Sequence, residues 1–153
     1  MTHVGARSNI LKASPTLKIS LEAAGRKERF SPTQPLFRED ADNTGVFLVT
    51  KGKVCMSVQG LPKLDRMFTA GSLLGLPSTF TGHPYSLTAT ALSELDVVHV
   101  AAEDFLRLMR EQTELCREAT EMLGREVTFI QSALAERRKQ AVARKLVTAQ
   151  LVS

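Results

Sequence analysis

Residues 70–78 read Ala-Gly-Ser-Leu-Leu-Gly-Leu-Pro-Ser, and residues 85–89, a short loop later, read Tyr-Ser-Leu-Thr-Ala. Gly71 and Gly75 enclose small and apolar residues, and an alternating strand pattern follows the second segment. Glycine is used where the backbone turns tightly or approaches a ligand closely. A glycine pair of this kind also occurs in ordinary turns, so the flanking sequence has to decide between a plain turn and a ligand-binding loop.

The upstream segment, residues 35–54, reads Pro-Leu-Phe-Arg-Glu-Asp-Ala-Asp-Asn-Thr-Gly-Val-Phe-Leu-Val-Thr-Lys-Gly-Lys-Val. Together with residues 70–89 it resembles the cyclic-nucleotide-binding domain of catabolite-activator-type (Crp/Fnr) regulators, roughly from Glu28 to Ala135. In that family a P-x-L-F-x-E-G-D turn precedes a V-F-x-V-x-x-G-x-V hairpin. A P-G-E-x-F-G-E phosphate cassette that ends in Arg-Ser/Thr-Ala follows, and then a long dimer helix. The resemblance implies an α+β fold: a double-stranded β-helix, that is, a jelly-roll-like β-barrel, flanked by helices.

The strand pattern agrees with such a barrel. In residues 54–58, Val54, Met56 and Val58 share one face, with Cys55 and Ser57 on the other. Many short strands at close spacing with turn signals between them predict a jelly-roll-like barrel. The expected strands are at residues 27–30, 46–50, 54–58, 66–69, 87–91 and 95–100. The predicted organisation is an N-terminal arm and short helix (1–26), a β-roll (27–112), a long dimerisation helix (113–139) and a short C-terminal helix (140–153).

Beyond residue 100 the hydrophobic period changes to that of helices. Glu103 and Asp104 open a short helix, and Thr113 is a suitable N-cap for a second one that runs to about Lys139. The second helix would extend on the order of 40 Å, more than a barrel this small can cover. Its narrow apolar stripe predicts a homodimer through this helix, or alternatively packing against the chain's own barrel. The stripe consists of Ala119, Leu123, Val127, Ile130 and Leu134.

The resemblance also defines candidate ligand-binding residues. In the family an arginine after the cassette helix pairs with the cyclic phosphate, and a glutamate accepts a hydrogen bond from the ribose. Here Leu76 stands at the glutamate position, and residues 85–87, Tyr-Ser-Leu, stand where Arg-Ser-Ala is usual. A cyclic nucleotide is therefore a possible ligand but is disfavoured by Leu76 and Tyr85, and no cofactor is certain. The candidate ligand-binding residues are Leu74, Gly75, Leu76, Pro77, Ser78, Tyr85, Ser86, Leu87, Ile130 and Gln131.

Charge and cysteine content limit the partners. The chain has 153 residues and a net charge of +4, and residues 133–153 carry five basic residues against Glu136. A basic helical end can face nucleic-acid phosphates or can be a solvated face. No apolar run approaches the roughly 18 residues of a membrane span, and no signal peptide is recognisable. We therefore expect no membrane partner, a cytoplasmic location, and free thiols at Cys55 and Cys116.

Crp/Fnr-type relatives normally continue into a helix-turn-helix domain that binds DNA, whereas residues 140–153 supply one helix. Sequence-specific DNA binding by this chain alone is therefore not expected. No nucleophile elbow, phosphate loop or histidine–carboxylate pattern indicates an enzyme, and the histidines and cysteines lack metal-ligand spacing. The resemblance therefore implies a non-enzymatic Crp/Fnr-like sensor domain with a degenerate cyclic-nucleotide pocket, which signals through a dimer helix in transcription regulation. Three alternatives stay open: a constitutive dimerisation module with a collapsed pocket, a true cyclic-nucleotide-binding domain, and a haem or metal sensor with His83 as ligand.

Overall fold

The computed structural model describes residues 6–7 and 9–152, which form two β-sheets and four α-helices. The strands are β1 (Ala6–Arg7), β2 (Arg26–Phe30), β3 (Pro35–Phe37), β4 (Val46–Lys51), β5 (Val54–Ser57), β6 (Arg66–Phe68), β7 (Leu73–Leu74), β8 (Thr88–Ala91) and β9 (Leu95–Val100). The helices are α1 (Pro15–Ala24), α2 (Leu76–Thr81), α3 (Ala102–Glu111) and α4 (Thr113–Val152), and a 3₁₀ turn spans Pro62–Leu64.

The two sheets enclose one apolar core. One sheet has the strand order β1-β6-β5-β8-β3 and the other β2-β9-β4-β7. The pairings among the described strands are antiparallel, apart from β1, which runs parallel to β6. In β5, Val54 and Met56 are buried while Cys55 and Ser57 are half-buried, as the period of two predicts. The predicted jelly-roll-like barrel with flanking helices is confirmed.

Strand β6 brings a charged side chain into this core. Its burial alternates, so Arg66 and Phe68 are buried and Met67 between them is half-buried. In register, Arg66 lies opposite Met56 of β5, and Met56 lies opposite Ala89 of β8. The position that holds Arg66 is therefore one that an apolar residue would normally occupy.

Helix α4 is continuous from Thr113 to Val152, so it does not divide at residues 139 and 140 as predicted. Residues 137–152 contain no glycine or proline, and most of them are good helix formers. Four buried residues at spacings of four, three and four face the roll: Leu115, Ala119, Met122 and Glu126. Ala119, predicted as part of the dimer stripe, is thus buried in the chain's own core, because it lies on the face of α4 that docks on the roll.

The N-terminal segment is held against the rest of the fold rather than forming a free arm, since β1 pairs with β6 and further contacts follow at Leu11 and Ser14. The backbone N–H of Leu73 donates to the Leu11 carbonyl at 2.9 Å. Ser14 caps α1, and its N–H and hydroxyl both donate to the Glu118 carboxylate of α4, at 2.7 and 2.6 Å. The rest of the predicted arm, residues 1–5 and 8, and the final residue of the predicted C-terminal helix lie outside the described residues. Within the described ranges, none of the helices combines the length and apolar composition of a transmembrane segment.

Candidate ligand site

Tyr85 anchors the segment between α2 and β8. Its side chain is buried, and its ring stacks on Phe37 with 4.0 Å between the ring centroids. The hydroxyl donates a hydrogen bond to the Gly45 carbonyl at 2.7 Å and accepts one from the Thr44 N–H at 3.1 Å. The Tyr85 backbone N–H donates to the Ala41 carbonyl at 3.0 Å. Backbone and side chain of this one residue therefore hold the loop that leads into β4.

Gly75 lets α2 begin beside Tyr85. It takes the left-handed conformation, with φ at 93°, which glycine adopts without steric cost. A Cβ at this position would lie 3.0 Å from the Gly45 carbonyl oxygen and 3.4 Å from the Tyr85 ring. The close approach in this structure is thus between two segments of the chain. Leu74 and Leu76, on either side of Gly75, are fully buried in the core.

A small cavity lies between this segment and α4. Its volume is about 10 Å³, which is room for one water molecule at most. Six of the ten predicted ligand-binding residues line it: Gly75, Pro77, Ser78, Tyr85, Ser86 and Leu87. Phe37, Met56 and Glu126 complete the wall. The structure thus brings most of the predicted site residues together around a space much smaller than a nucleotide.

The two helix residues predicted above the pocket are placed elsewhere. Glu126 lines the cavity, whereas Ile130, one turn further along α4, is half-buried against the edge of the core and Gln131 is exposed. The assignment of Ile130 and Gln131 followed from the family pattern, which does not fix how far along the helix the contact with the roll extends. In this chain the buried face of α4 ends with Glu126.

Arg66 and Glu126 form a buried charge pair beside this cavity. Their side chains are 3% and 0% exposed, and Nη2 of Arg66 lies 3.7 Å from Oε1 of Glu126. Among the described residues, neither the guanidinium nitrogens nor the carboxylate oxygens have a hydrogen-bond partner. The Arg66 Cζ atom lies 5.2 Å from the centroid of the Phe68 ring and 4.4 Å from that of Phe129. Two aromatic rings and one carboxylate, which forms an ion pair but no hydrogen bond, thus surround the buried cation.

Both charges are destabilised by their surroundings. Burial raises the pKa of Glu126 to about 7, and attraction to Arg66 opposes only part of that rise. Burial also lowers the pKa of Arg66, against the attraction of Glu126. Neither residue is among the predicted site residues, because arginine in a strand and glutamate in a helix are typical of surfaces. Two features of the sequence do indicate burial. Arg66 is two residues from Phe68 and so lies on the same face of β6, and Glu126 is four residues after Met122 on the apolar face of α4.

His99 of β9 links Glu28 of β2 to Thr44, in the loop before β4 that Tyr85 also holds. Its ring stacks on Phe47 with 4.3 Å between centroids. Its Nδ1 lies 3.0 Å from the Glu28 carboxylate, and its Nε2 lies 3.0 Å from the Thr44 carbonyl oxygen. Burial alone would raise the pKa of Glu28, but hydrogen bonds from His99 and Arg26 outweigh burial and lower it. Both ring nitrogens of His99 are engaged within the fold.

The hypothesis of a metal sensor gains no site from the structure. His83 is exposed in the loop between α2 and Tyr85. Within the part of the chain that the structure describes, no cluster of three or more His, Cys, Asp or Glu residues has an arrangement that could hold a metal ion.

The rest of the predicted dimer stripe lies at the edge of the core. Leu123, Val127, Ile130 and Leu134 are half-buried within this single chain. A Cβ at Gly124, on the exposed side, would meet no atom within 4 Å. Further along α4, large apolar side chains are exposed at Val142, Leu146 and Val147, at 57%, 61% and 54%. The helix therefore carries apolar surface well beyond the roll.

Comparison with known proteins places this geometry in a family. The family model described as "Cyclic nucleotide-binding domain" matches residues 27–112. Comparison with curated protein sequences returned no match.

Several solved structures share the fold of this chain. The catabolite activator protein of Thermus thermophilus is 20% identical, with a TM-score of 0.69, over 82% of this chain and 60% of that one. The N-terminal domain of a transcriptional regulator from Streptomyces coelicolor A3(2) is 21% identical, with a TM-score of 0.58, over 84% and 93%. A protein reported with a cyclic-GMP-dependent pathway of bacterial phytopathogenesis is 20% identical, with a TM-score of 0.66, over 79% and 96%. This chain thus spans 60% of the length of the Thermus protein. The chain belongs to the cyclic nucleotide-binding domain family, and its fold is that of the catabolite-activator (Crp/Fnr) type.

Proposed function

We propose that this chain is a non-enzymatic regulatory sensor domain whose nucleotide pocket is closed by its own side chains and which signals through a dimer helix. The observation that carries the proposal is the position of Tyr85. Its ring lies in the wall of the cavity and its hydroxyl is bonded to the Gly45 carbonyl. By family resemblance, this is where an arginine would pair with a cyclic phosphate.

The chemistry of the cavity wall supports this closed state. A cyclic phosphate is a monoanion, and taking it out of water without a paired cation costs several kcal/mol. Tyr85 offers one hydroxyl that is already engaged, and Leu76 is fully buried and cannot accept a ribose hydrogen bond. The remaining candidate partners, Ser78 and Ser86, are neutral and form weaker hydrogen bonds than a guanidinium does.

A thermal-shift titration with cyclic AMP and cyclic GMP tests the pocket. Ligand at about 100 times its Kd raises the stability of the folded state by roughly 2.7 kcal/mol. We expect no shift for the natural protein and a shift for the Leu76→Glu, Tyr85→Arg double variant, which restores the two missing groups. A clear shift in the natural protein would overturn the closed pocket and indicate a true cyclic-nucleotide-binding domain.

Dimerisation through α4 is supported by the apolar surface that this helix carries. Leu134 is half-buried at the edge of the single chain, and its neighbour Ala135 is exposed. We expect Leu134→Glu to weaken a dimer by more than about tenfold in sedimentation equilibrium, because it places a charge in an apolar contact. Ala135→Glu is the matched control and should leave the dimer intact. A natural protein that stays monomeric at high micromolar concentration would contradict the proposed signalling route.

A second candidate is a constitutive dimerisation module without a ligand, which the volume of about 10 Å³ favours. The two functions differ in one measurement. A sensor changes the amide exchange of α4 when its pocket is filled, whereas a constitutive module keeps the same α4 exchange with every compound tested.

A further inference from the structure

The unsatisfied groups of the buried charge pair point to a second kind of binding chemistry in this fold. A guanidinium offers five N–H donors in a planar fork. Arg66 is 3% exposed and uses none of them in a hydrogen bond within the described residues. Because buried polar groups are rarely left unpaired in native proteins, an unpaired guanidinium in a core requires an explanation.

Glu126 is the counter-ion of Arg66 but forms no hydrogen bond with it. The separation of 3.7 Å between Nη2 and Oε1 is longer than a hydrogen bond, and neither carboxylate oxygen bonds elsewhere in the described chain. Glu126 is carried by α4, which is already fixed on the roll by Leu115, Ala119 and Met122. A carboxylate that is free to move could instead meet the fork with two parallel hydrogen bonds of about 2.8 Å.

We propose that the interior of the roll beneath α4 is an anion-binding site centred on Arg66, where Glu126 is an internal counter-ion that a small carboxylate displaces. This site rests on the proposed sensor function, since it names the class of ligand that would open the closed pocket. It differs from the phosphate position of the family pattern, because its cation comes from strand β6 and not from the segment after α2.

The residues around Arg66 indicate what kind of group the carboxylate of the ligand is attached to. The rings of Phe68 and Phe129 flank the guanidinium at 5.2 and 4.4 Å. Glu126 lies in the wall of the adjoining cavity together with Phe37 and Met56. The residues next to the guanidinium are therefore aromatic, and the cavity wall is mostly apolar apart from Glu126, Ser78, Ser86 and the Tyr85 hydroxyl. These surroundings favour a flat apolar group over a hydrated one such as inorganic phosphate. The ligand class is a small monocarboxylate with an aromatic or apolar body.

Displacement of Glu126 gives binding a mechanical consequence. Glu126 is the last residue of the buried face of α4. The adjoining cavity of about 10 Å³ has no room for a carboxylate with an aromatic body beside Glu126, so this turn of α4 leaves the roll or rotates when such an anion pairs with Arg66. A ligand of this kind thus binds the undocked arrangement of the helix better than the docked one, as a switch requires.

Benzoate is a suitable probe, with benzamide as the neutral isostere and inorganic phosphate as the hydrated anion. We expect calorimetry to show binding of benzoate but of neither control compound. Glu126→Gln removes the competing charge and should tighten benzoate binding by at least about tenfold. Arg66→Met should abolish it, and Arg66→Met combined with Glu126→Gln, which leaves no unpaired charge, should also fold and fail to bind.

Hydrogen exchange tests the proposed signalling through α4 separately from binding at the anion site. Benzoate should speed the exchange of α4 amides around Glu126 in the natural protein, and should not do so in the Arg66→Met, Glu126→Gln variant. Absence of benzoate binding in both the natural protein and Glu126→Gln would overturn the anion site, while leaving the thermal-shift test of the closed nucleotide pocket unaffected. Binding that requires Arg66 but leaves α4 exchange unchanged would support the site and overturn both the displacement of Glu126 and the proposed signalling.

Discussion

Replacing Tyr85 by phenylalanine removes one oxygen atom and leaves the ring to stack on Phe37. The lost hydroxyl donates to the Gly45 carbonyl at 2.7 Å and accepts from the Thr44 N–H at 3.1 Å. Gly45 is buried, so its carbonyl would be left without this partner in a dry environment. An unsatisfied buried group costs about 1–3 kcal/mol. Thr44 is exposed, so its N–H can donate to water once the hydroxyl is gone, and only the Gly45 carbonyl loses its partner. We therefore expect Tyr85→Phe to lower the free energy of unfolding by about 2 kcal/mol.

Urea unfolding followed by circular dichroism measures this change. The midpoint should fall while the slope m stays the same, because the surface exposed on unfolding is unaltered. For a domain of this size the melting temperature should drop by roughly 4–8 °C. Ser86→Ala is the matched control: it removes an exposed neighbouring hydroxyl and should change stability by less than about 0.5 kcal/mol. A Tyr85→Phe variant within that same margin would refute the argument that the hydroxyl anchors the loop.

Four further expectations concern three glycines and the buried glutamate. Gly45→Ala should abolish folding or cost more than about 3 kcal/mol, because its Cβ would lie 2.0 Å from the Val100 carbonyl oxygen at φ +124°. Gly82→Ala, with φ +74° and nothing within 4 Å, should cost only about 1 kcal/mol in the same unfolding assay. The natural protein should lose stability as the pH rises from 4.5 to about 7, since Glu126 binds a proton more tightly when folded, and Glu126→Gln should flatten that part of the pH profile. Gly124→Ala should raise the melting temperature of a monomer, because alanine favours the helix by about 1 kcal/mol, and should weaken a dimer if the helices meet there.

The strands were predictable because apolar and polar residues alternate along a strand that is buried on one face. Val54 and Met56 show this pattern directly. The turn at residues 60–62 leads into β6, which pairs with β5, but the connection at residues 51–53 is not the hairpin that its glycine suggests, because β4 and β5 lie in different sheets. The end of the long helix was not predictable in the same way. A break at residue 140 was expected from family organisation, but helix propensity through residues 140–152 favours continuation, and no capping residue or glycine opposes it.

The candidate site was only partly predictable. The segment from Gly75 to Leu87 was identified by family pattern, and six of its candidate residues do line one cavity. Arg66 and Glu126 were missed, because charged residues in a sequence are read as surface, and only three-dimensional packing shows that both lie inside. Ala119 shows a related error: it was assigned to a dimer surface but is buried in the chain's own core. Its spacing fits two neighbouring faces of α4, and the depth of docking, not the spacing, decides which face it joins.

Because α4 is continuous, a small tilt where it docks on the roll produces a larger displacement at its distal end. From Glu126 to Val152 the helix extends about 39 Å at a rise of 1.5 Å per residue. A tilt of about 10° at the docked end would move the far end by about 7 Å, more than the reach of a side-chain contact. A rearrangement confined to one charge pair is thus magnified along the helix, and a stiff arm of this length can report it to whatever the distal turns contact.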